Sequence, residues 1–449
     1  MIVEPSWRLI FAGFALAVFS TVFFALGPAW ALSRPAVVSD LKETPGGGRR
    51  RSATGPLLVV GQLAVSLALV AVGGLFVRAA INAAHADPGY ALEHQLIVST
   101  DPSLAGYPAD RSRSFYSGAL ERVRSIPGVE RASVASIVPF GEFREGQSVR
   151  LSPGDDPVSA DFFVIGSEYF ETIGLRLLRG REFTRAEEDP GAGVGAGVRP
   201  VIVDRVLARK MFNEGDPLGR QILLQPRTGE PSQLALIVGV AGEMRHDIFD
   251  LDPRPHVYAP FGTHFRSNMT FHVRTRPGVA DTVMLAAIRG ELLRVDDRLP
   301  ILAAKTMTQH RDRSLTQWAV SAGATMFSTF GVLALLLATI GIYGLKAYDV
   351  SRRTREIGIR MALGATSGDV ERLVMREGLR TTVIGLGIGL LLSAGLGKLL
   401  SGLLYRVSPF DPAVLIIAAA VLSTTAMLAC YLPARRATRV VPLEALRSE

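Results

Sequence analysis

Acidic and basic residues are absent from five long stretches of the chain: Leu9 to Ser33, Ser52 to Val77, Ser314 to Leu345, Thr381 to Gly397 and Pro412 to Ala434. A helix needs about 18–20 apolar residues to cross a bilayer, so the pattern predicts five spans. The fourth run is the shortest. It continues past Lys398 to Tyr405, and a lysine near a helix end can extend its ammonium to the interface, so the run is kept as a span. The first run is longer than the apolar core of a signal peptide, and its flank carries only Arg8 against Glu4.

Between the second and third runs the pattern becomes that of a water-soluble domain. Gln95 to Thr100 reads as a strand, Asp110 to Ile126 as a helix with Phe115, Leu120 and Val123 on one face, and Arg131 to Val138 as a strand after the Pro127-Gly128 turn. A second unit of the same kind has a strand from Met269 to Val273, Pro277-Gly278, a helix from Ala280 to Val295 and a strand from Ile301 to Ala304. Between them lie short β-like segments: Phe162 to Ile165, Val201 to Val203, Gln221 to Leu224 and Leu234 to Val240. The expected fold is a membrane α-helical bundle of five spans, with a large α/β plus β domain inserted after the second. The soluble domain is placed at residues 81–313, with its β-rich insertion at about 141–267.

Charge sets the orientation. Arg34 to Arg51, Lys346 to Arg380 and Arg435 to Glu449 hold 5, 8 and 4 basic residues against 2, 5 and 2 acidic ones. Basic loops are retained in the cytoplasm, which places the soluble domain outside and the C-terminus inside. Arg78 to Arg313 is balanced, with 29 basic and 30 acidic residues, so the net charge of +8 gives no reason to invoke nucleic acid. The basic loop Thr44 to Ser52 suits anionic headgroups, making membrane lipids a partner. The single cysteine, Cys430, lies in the last run, so the chain can form no internal disulfide.

The N-terminal span shares features with the C-terminal one. Ala17-Val-Phe-Ser-Thr21 parallels Ala420-Val-Leu-Ser-Thr424, and Pro28-Ala29 parallels Pro433-Ala434. Short apolar strings also recur by chance, so duplication and coincidence both remain open on this evidence.

No set of catalytic residues stands out. Gly-x-x-x-x-Gly-Lys-Ser/Thr does not occur in the sequence, and Gly191 to Gly197 reads as a surface loop rather than a phosphate cradle. Gly385, Gly387 and Gly389 read as close-packing positions within a span. His246, His256, His264 and His272 lack a metal-ligand spacing and read as scattered surface residues. Glu187, Glu188 and Asp189 read as a solvated charge run. Neither a metal nor a cofactor is expected, and no charge lies deep enough in a span to suggest a proton relay.

The stretch with most to say follows the third span. Its helix is expected to leave the membrane at Lys346, run through Arg352, Arg353 and Arg355, and break at Gly364. Ile357, Met361 and Leu363 are expected to make apolar contacts, while Arg353, Arg355, Glu356 and Arg360 face elsewhere. Thr366 or Ser367 would cap the next helix, with Asp369 in its first turn. Such a turn suits docking into a groove of a soluble partner. It would equally lie on headgroups, and from physics alone that second reading is the stronger.

The string Arg353-Thr-Arg-Glu-Ile-Gly-Ile-Arg-Met-Ala-Leu-Gly-Ala365, preceded by Ile340-Gly341-Ile342-Tyr343-Gly344, resembles the signature of the MacB/FtsX family of ABC transporter permeases. Pro433-Ala434-Arg435-Arg436-Ala437, with Pro442 to Arg447, resembles the family's C-terminal end. Tyr169 to Leu175, Leu178 to Phe183, Asp216 to Arg220 and Ile237 to Val240 resemble its periplasmic core domain. The likeness runs from Pro56 onward. It implies a four-span core, with residues 1–33 as an extra span resembling the last span of a preceding copy, as in duplicated permeases.

The resemblance also implies a multi-pass protein of the bacterial inner membrane with a periplasmic domain; the family's ATPase is a separate subunit or a fused domain, and with no phosphate-loop motif in this sequence it is expected on a separate subunit. The chain's expected partners are a cytoplasmic ABC ATPase subunit, a second permease copy or repeat and a periplasmic partner. Residues 346–378 would form the coupling turn, with Arg353, Arg355, Glu356, Ile357, Gly358, Arg360, Met361, Leu363, Gly364 and Ala365 at the docking site. ATP-driven closure would push on this turn, and stiff helices would carry the motion outward. Two rivals share the same turn: an envelope regulator that activates a cell-wall hydrolase or senses a signal, and a disabled remnant that binds no ATPase.

Overall fold

The computed structural model describes residues 54–188, 198–213, 215–226, 232–247 and 253–438. The span expected at Leu9 to Ser33, the basic loop, Gly191 to Gly197, Asp189 and the tail beyond Thr438 lie outside the described residues. The chain divides into two compact units, Ala83–Ala319 and a second made of Met1–Asn82 with Val320–Glu449.

Among the described residues four helices are long and apolar enough to cross a membrane. They are α1 (Thr54–Ala84), which precedes the soluble unit, and three beyond it. In chain order the soluble unit has β1 (Gln95–Thr100), α2 (Ala109–Ser125), β2 (Val129–Ala135), β3 (Gly146–Arg150), β4 (Val158–Ile165), α3 (Tyr169–Ile173), β5 (Leu177–Gly180) and β6 (Arg199–Asp204). Then come α4 (Arg205–Phe212), β7 (Gln221–Pro226), β8 (Gln233–Ala241), β9 (His256–Pro260), β10 (Met269–Thr275), α5 (Asp281–Val295), β11 (Ile301–Thr306) and α6 (Met307–Asp312). The membrane unit continues with α7 (Leu315–Arg352), α8 (Thr354–Ala362), α9 (Ser367–Leu399) and α10 (Pro412–Ala437).

The strands of the soluble unit form one sheet in the order β11-β1-β10-β2-β4-β3-β7-β8-β6-β9, with β5 paired to β8. The early and late strands interleave: β1 pairs antiparallel with β10 and β11, and β10 with β2. A single pairing, Ala135 with Ile165, joins β2 to β4 and so connects these four strands to the intervening ones. One face is covered by α2 and α5. Phe115, Ala119, Leu120 and Val123 recur at helical spacing and meet Met284, Ile288 and Leu292 over Leu96, Val98, Val134 and Phe271. The turn into β2 needs glycine at 128, where φ is +98° and a Cβ would come within 2.9 Å of Met284.

At the central strands β4, β9 and β10 the other face is buried too. On β4, Phe162 and Val164 point into the α2/α5 core, while Phe163 packs against His246, His256 and Tyr258 with ring centroids 5.5–6.0 Å apart. Helix α3 adds Tyr169 and Phe170, which meet His272 and Tyr258. A strand buried on both faces reads as a continuous apolar run rather than an alternating one, as Phe162 to Ile165 does.

In the membrane unit α1 lies innermost. About 61% of its apolar window is buried, against 17%, 28% and 28% for α7, α9 and α10. Val59, Leu63, Leu67 and Ala71 pack with Ala338 and Ile342 of α7 and with Ala418, Leu422 and Ala426 of α10. Glycines let α9 approach: a Cβ on Gly385 would lie 2.7 Å from the Leu63 Cβ, and one on Gly389 2.8 Å from the Leu67 Cβ. Gly387 differs from the packing role expected of it, since a Cβ there meets nothing within 4 Å. Polar ties are few and specific. Ser66 Oγ donates to Ala334 O at 3.0 Å, and Arg78 pairs with Asp411 at 2.6 Å. Asp411 also caps α10, accepting from the Ala413 and Val414 amides.

Candidate functional site

The segment singled out in sequence forms a compact helical turn whose shape follows from its end signals. Helix α7 stops at Arg352 and a new helix, α8, begins at Thr354, so the break comes at Arg353 (φ −103°, ψ 11°) rather than first at Gly364. A single helix through Arg355 was expected. At the far end Gly364 adopts φ +101°. Its amide donates to Met361 O at 3.1 Å, and that of Ala365 to Arg360 O at 3.0 Å, the paired bonds of a left-handed helix stop that favours glycine. Of the two expected candidates, Thr366 and Ser367, Thr366 caps α9: its Oγ1 accepts from the Asp369 amide while Asp369 Oδ2 accepts from the Thr366 amide.

The side chains divide into an inner and an outer set. Ile357 is buried against Val370, with Val350 and Met361 partly buried beside it. Gly358 is buried as well. Leu363 departs from the expectation of an apolar contact, being 83% exposed together with the half-exposed Ile359. It sits just past the last residue of α8, immediately before the Gly364 turn that leads into α9. Glu356 and Arg360 are exposed and pair with each other at 2.6 Å across one turn of α8. Arg355 lies in the first turn of α8.

Arg353 turns inward, and its Nη1 meets Glu377 Oε1 of α9 at 3.1 Å. Lys346 of α7, only 7% exposed, places Nζ 3.5 Å from Glu377 Oε2 and 3.9 Å from Asp349. A cavity of about 20 Å³ lies among these groups. It is far below the several hundred Å³ of an ordinary small-molecule site, so the turn offers surface rather than a chamber. Close by, Arg436 Nη1 donates to the Tyr343 hydroxyl at 2.8 Å and ties α10 to α7. Glu377 and Tyr343 carried no signal as site residues. Asp349 lies one turn from Lys346 on α7, but Glu377, the partner that Lys346 and Arg353 share, lies on another helix and no local spacing shows it.

In the soluble unit the charged and histidine residues are arranged differently from expectation. His246, His256, His264 and His272 are 1–9% exposed, not at the surface. Among the described residues no group of three or more His, Cys, Asp or Glu side chains could hold a metal ion. Burial pushes His246 down to about 4 and His264 and His272 to about 3, keeping all three neutral near pH 7. His256 Nδ1 meets Asp204 at 3.0 Å, and Asp204 also caps α4. Glu187 is likewise buried rather than solvated. Burial acts to raise its carboxyl, but hydrogen bonds from Arg181 and Thr184 outweigh that and hold it below the usual value. Glu188 Oε1 accepts from the Ser167 amide at 2.5 Å.

Two family models match the chain. The MacB-like periplasmic core domain covers residues 57–291, and the FtsX-like permease C-terminal domain covers residues 328–442. The chain belongs to the MacB/FtsX-type ABC transporter permease family.

As a MacB/FtsX-type permease it is an integral membrane protein with a large periplasmic domain, and the matched string Arg353 to Ala365 falls within its FtsX-like part. It is 30% identical over 302 residues to the macrolide export ATP-binding/permease protein MacB of Hahella chejuensis, covering 65% of this chain and 43% of that one. It is 29% identical over 318 residues to a protein of the same description from Yersinia pestis bv. Antiqua, covering 68% and 46% respectively. The chain thus spans less than half the length of these relatives. Among solved structures, the periplasmic region of MacB from Actinobacillus actinomycetemcomitans matches 49% of this chain and 91% of its own, at 15% identity and a TM-score of 0.33.

Proposed function

We propose that this chain is the permease subunit of an ABC-type export or mechanotransmission complex, in which a separate cytoplasmic ATPase drives motion of the periplasmic domain. The observation that carries the reading is the turn between α7 and α9. Leu363 and Ile359 stand exposed beside the Glu356–Arg360 pair on a short helix that is capped at its far end. An apolar knob flanked by an oriented charge pair suits a groove on a soluble protein better than it suits water. The basic residues of the turn and of the C-terminal segment support placing both in the cytoplasm. In this reading residues 353–365 dock on the ATPase, and α7, about 57 Å long at 1.5 Å per residue, carries the displacement across the bilayer. A second permease copy or repeat would complete the ATPase dimer's second docking site, and a periplasmic partner or substrate would be driven by the outer domain.

The test inverts the charges while keeping the pair: Glu356→Arg with Arg360→Glu, alone and with Leu363→Asp. Recovery of an ATPase from native membranes is expected to fall about tenfold or more from the wild-type chain to the triple variant, since a few side chains carry most of an interface's binding energy. Insertion and yield should not change. Full ATPase recovery with the triple variant would remove the docking role from this turn. Absence of any ATPase with the wild type would overturn the transport reading.

A further inference from the structure

The turn has a mechanical weak point. The backbone leaves helical geometry at Arg353, so a push on α8 would be absorbed at that joint unless something bridged it. Glu377 bridges it. One carboxylate oxygen takes Arg353, at the joint itself, and the other faces Lys346, on α7 before the joint. Because Glu377 belongs to α9, a single side chain ties together the helix entering the turn, the joint and the helix leaving it. Lys346 is almost wholly buried, so its pairing is screened far less than that of a surface pair.

We propose that Glu377 is a positioning residue that locks α8 to α7 and α9, so that displacement of the turn passes into both membrane helices instead of being lost at Arg353. The inference rests on the coupling role proposed for the turn, but the lock can be tested without it. α1 meets α7, α9 and α10 through apolar and glycine contacts, and α9 meets α10 where Gly378 lies against Cys430, so the bundle has packing that does not run through the Glu377 carboxylate. Glu377→Gln keeps the volume of the side chain and removes its charge.

Hydrogen–deuterium exchange on the full chain in lipid nanodiscs reads the lock directly. In Glu377→Gln, amides of residues 353–365 should exchange about fivefold faster or more, while α1 and the periplasmic strands keep wild-type protection. Arg353→Lys retains the cation and should stay within about twofold of wild type. Arg353→Gln breaks the same bridge from its other side, and serves if Glu377→Gln does not insert. Unchanged exchange at the turn in the Gln variants overturns the lock, and so does loss of protection throughout the bundle, which would make Glu377 a folding residue.

A second arm uses complexes purified with the ATPase subunit that accompanies the wild-type chain, and follows ATP-driven movement of a spin label in the periplasmic domain. Glu377→Gln should hold the ATPase within about twofold of wild type while the movement falls about fivefold or more, the low end of coupling between distant sites. Equal movement in wild type and variant overturns the lock and leaves the coupling reading standing. If the wild type recovers no ATPase, or shows no ATP-driven movement, the coupling reading falls whatever the exchange data show.

Discussion

The two units of this chain solve opposite packing problems. In the periplasmic unit the central strands are covered on both faces, and Phe162, Phe163, Val164 and Ile165 of β4 are each 0–1% exposed. In the membrane unit one helix is enclosed, and its neighbours leave Leu336, Leu337, Ile340 and Leu391 at least half exposed. In water, apolar burial itself drives assembly. Where lipid is as apolar as leucine, helices are held by close approach and a few polar ties instead, here Gly385 and Gly389 against α1 and Arg78 against Asp411.

That contrast breaks most visibly at Phe163. Phe163→Ala should destabilise the periplasmic unit by about 3–5 kcal/mol, the usual cost of deleting a fully buried ring. Near-UV circular dichroism melts of the full chain would show it, and a loss below about 1 kcal/mol would mean that this face of the sheet is loosely packed.

Acid should act on the same unit next. The folded values of His246 and His272 lie below the ordinary 6.5, so their contribution to stability is complete above about pH 6.5 and is lost as pH falls toward 4 and 3. At pH 5 each should cost about 2 kcal/mol. His272→Phe should remove its share of that slope, as read from the melting temperature of the periplasmic unit between pH 7 and pH 5. An unchanged slope would place His272 in water.

The glycines sharpen the membrane side of the comparison. Gly389→Leu should cost about 1–3 kcal/mol through overpacking against Leu67, whereas Gly387→Leu, facing open space, should leave detergent-solubilised protein monodisperse. Equal effects at the two positions would mean that close approach does not hold this bundle. The smallest effect belongs to the turn. Glu356→Ala with Arg360→Ala should change the melting temperature by no more than about 0.5 kcal/mol implies, since exposed pairs of this kind contribute little to stability. A larger drop would give the pair a structural rather than a docking role.

Much of this was legible in the residues themselves. Apolar run length announced the four described spans, alternation and helical spacing located Gln95–Thr100, Ala109–Ser125, Met269–Thr275 and Asp281–Val295, and Thr366-Ser367 ahead of Asp369 announced a helix cap that the structure assigns to Thr366. These signals are local: each depends on which residues lie within a turn or two of one another.

What local spacing could not supply was the identity of neighbours brought in from far along the chain. His272 and Glu187 looked like surface residues because their types usually are, and only the packing of α3 over the sheet and the reach of Arg181 buried them. Leu363 looked like a contact and is exposed: it is the C-cap of α8, outside the helical face that Ile357 and Met361 present to Val370. The joint at Arg353 and its bridge to Glu377 likewise required the folded bundle. Hydrophobic period and end-capping chemistry are written into neighbouring residues, so the sequence determined the elements and the turn; Glu377 as the shared partner of Lys346 and Arg353 was decided only when α9 packed beside α7, because an ion pair between helices depends on distance in space and not along the chain.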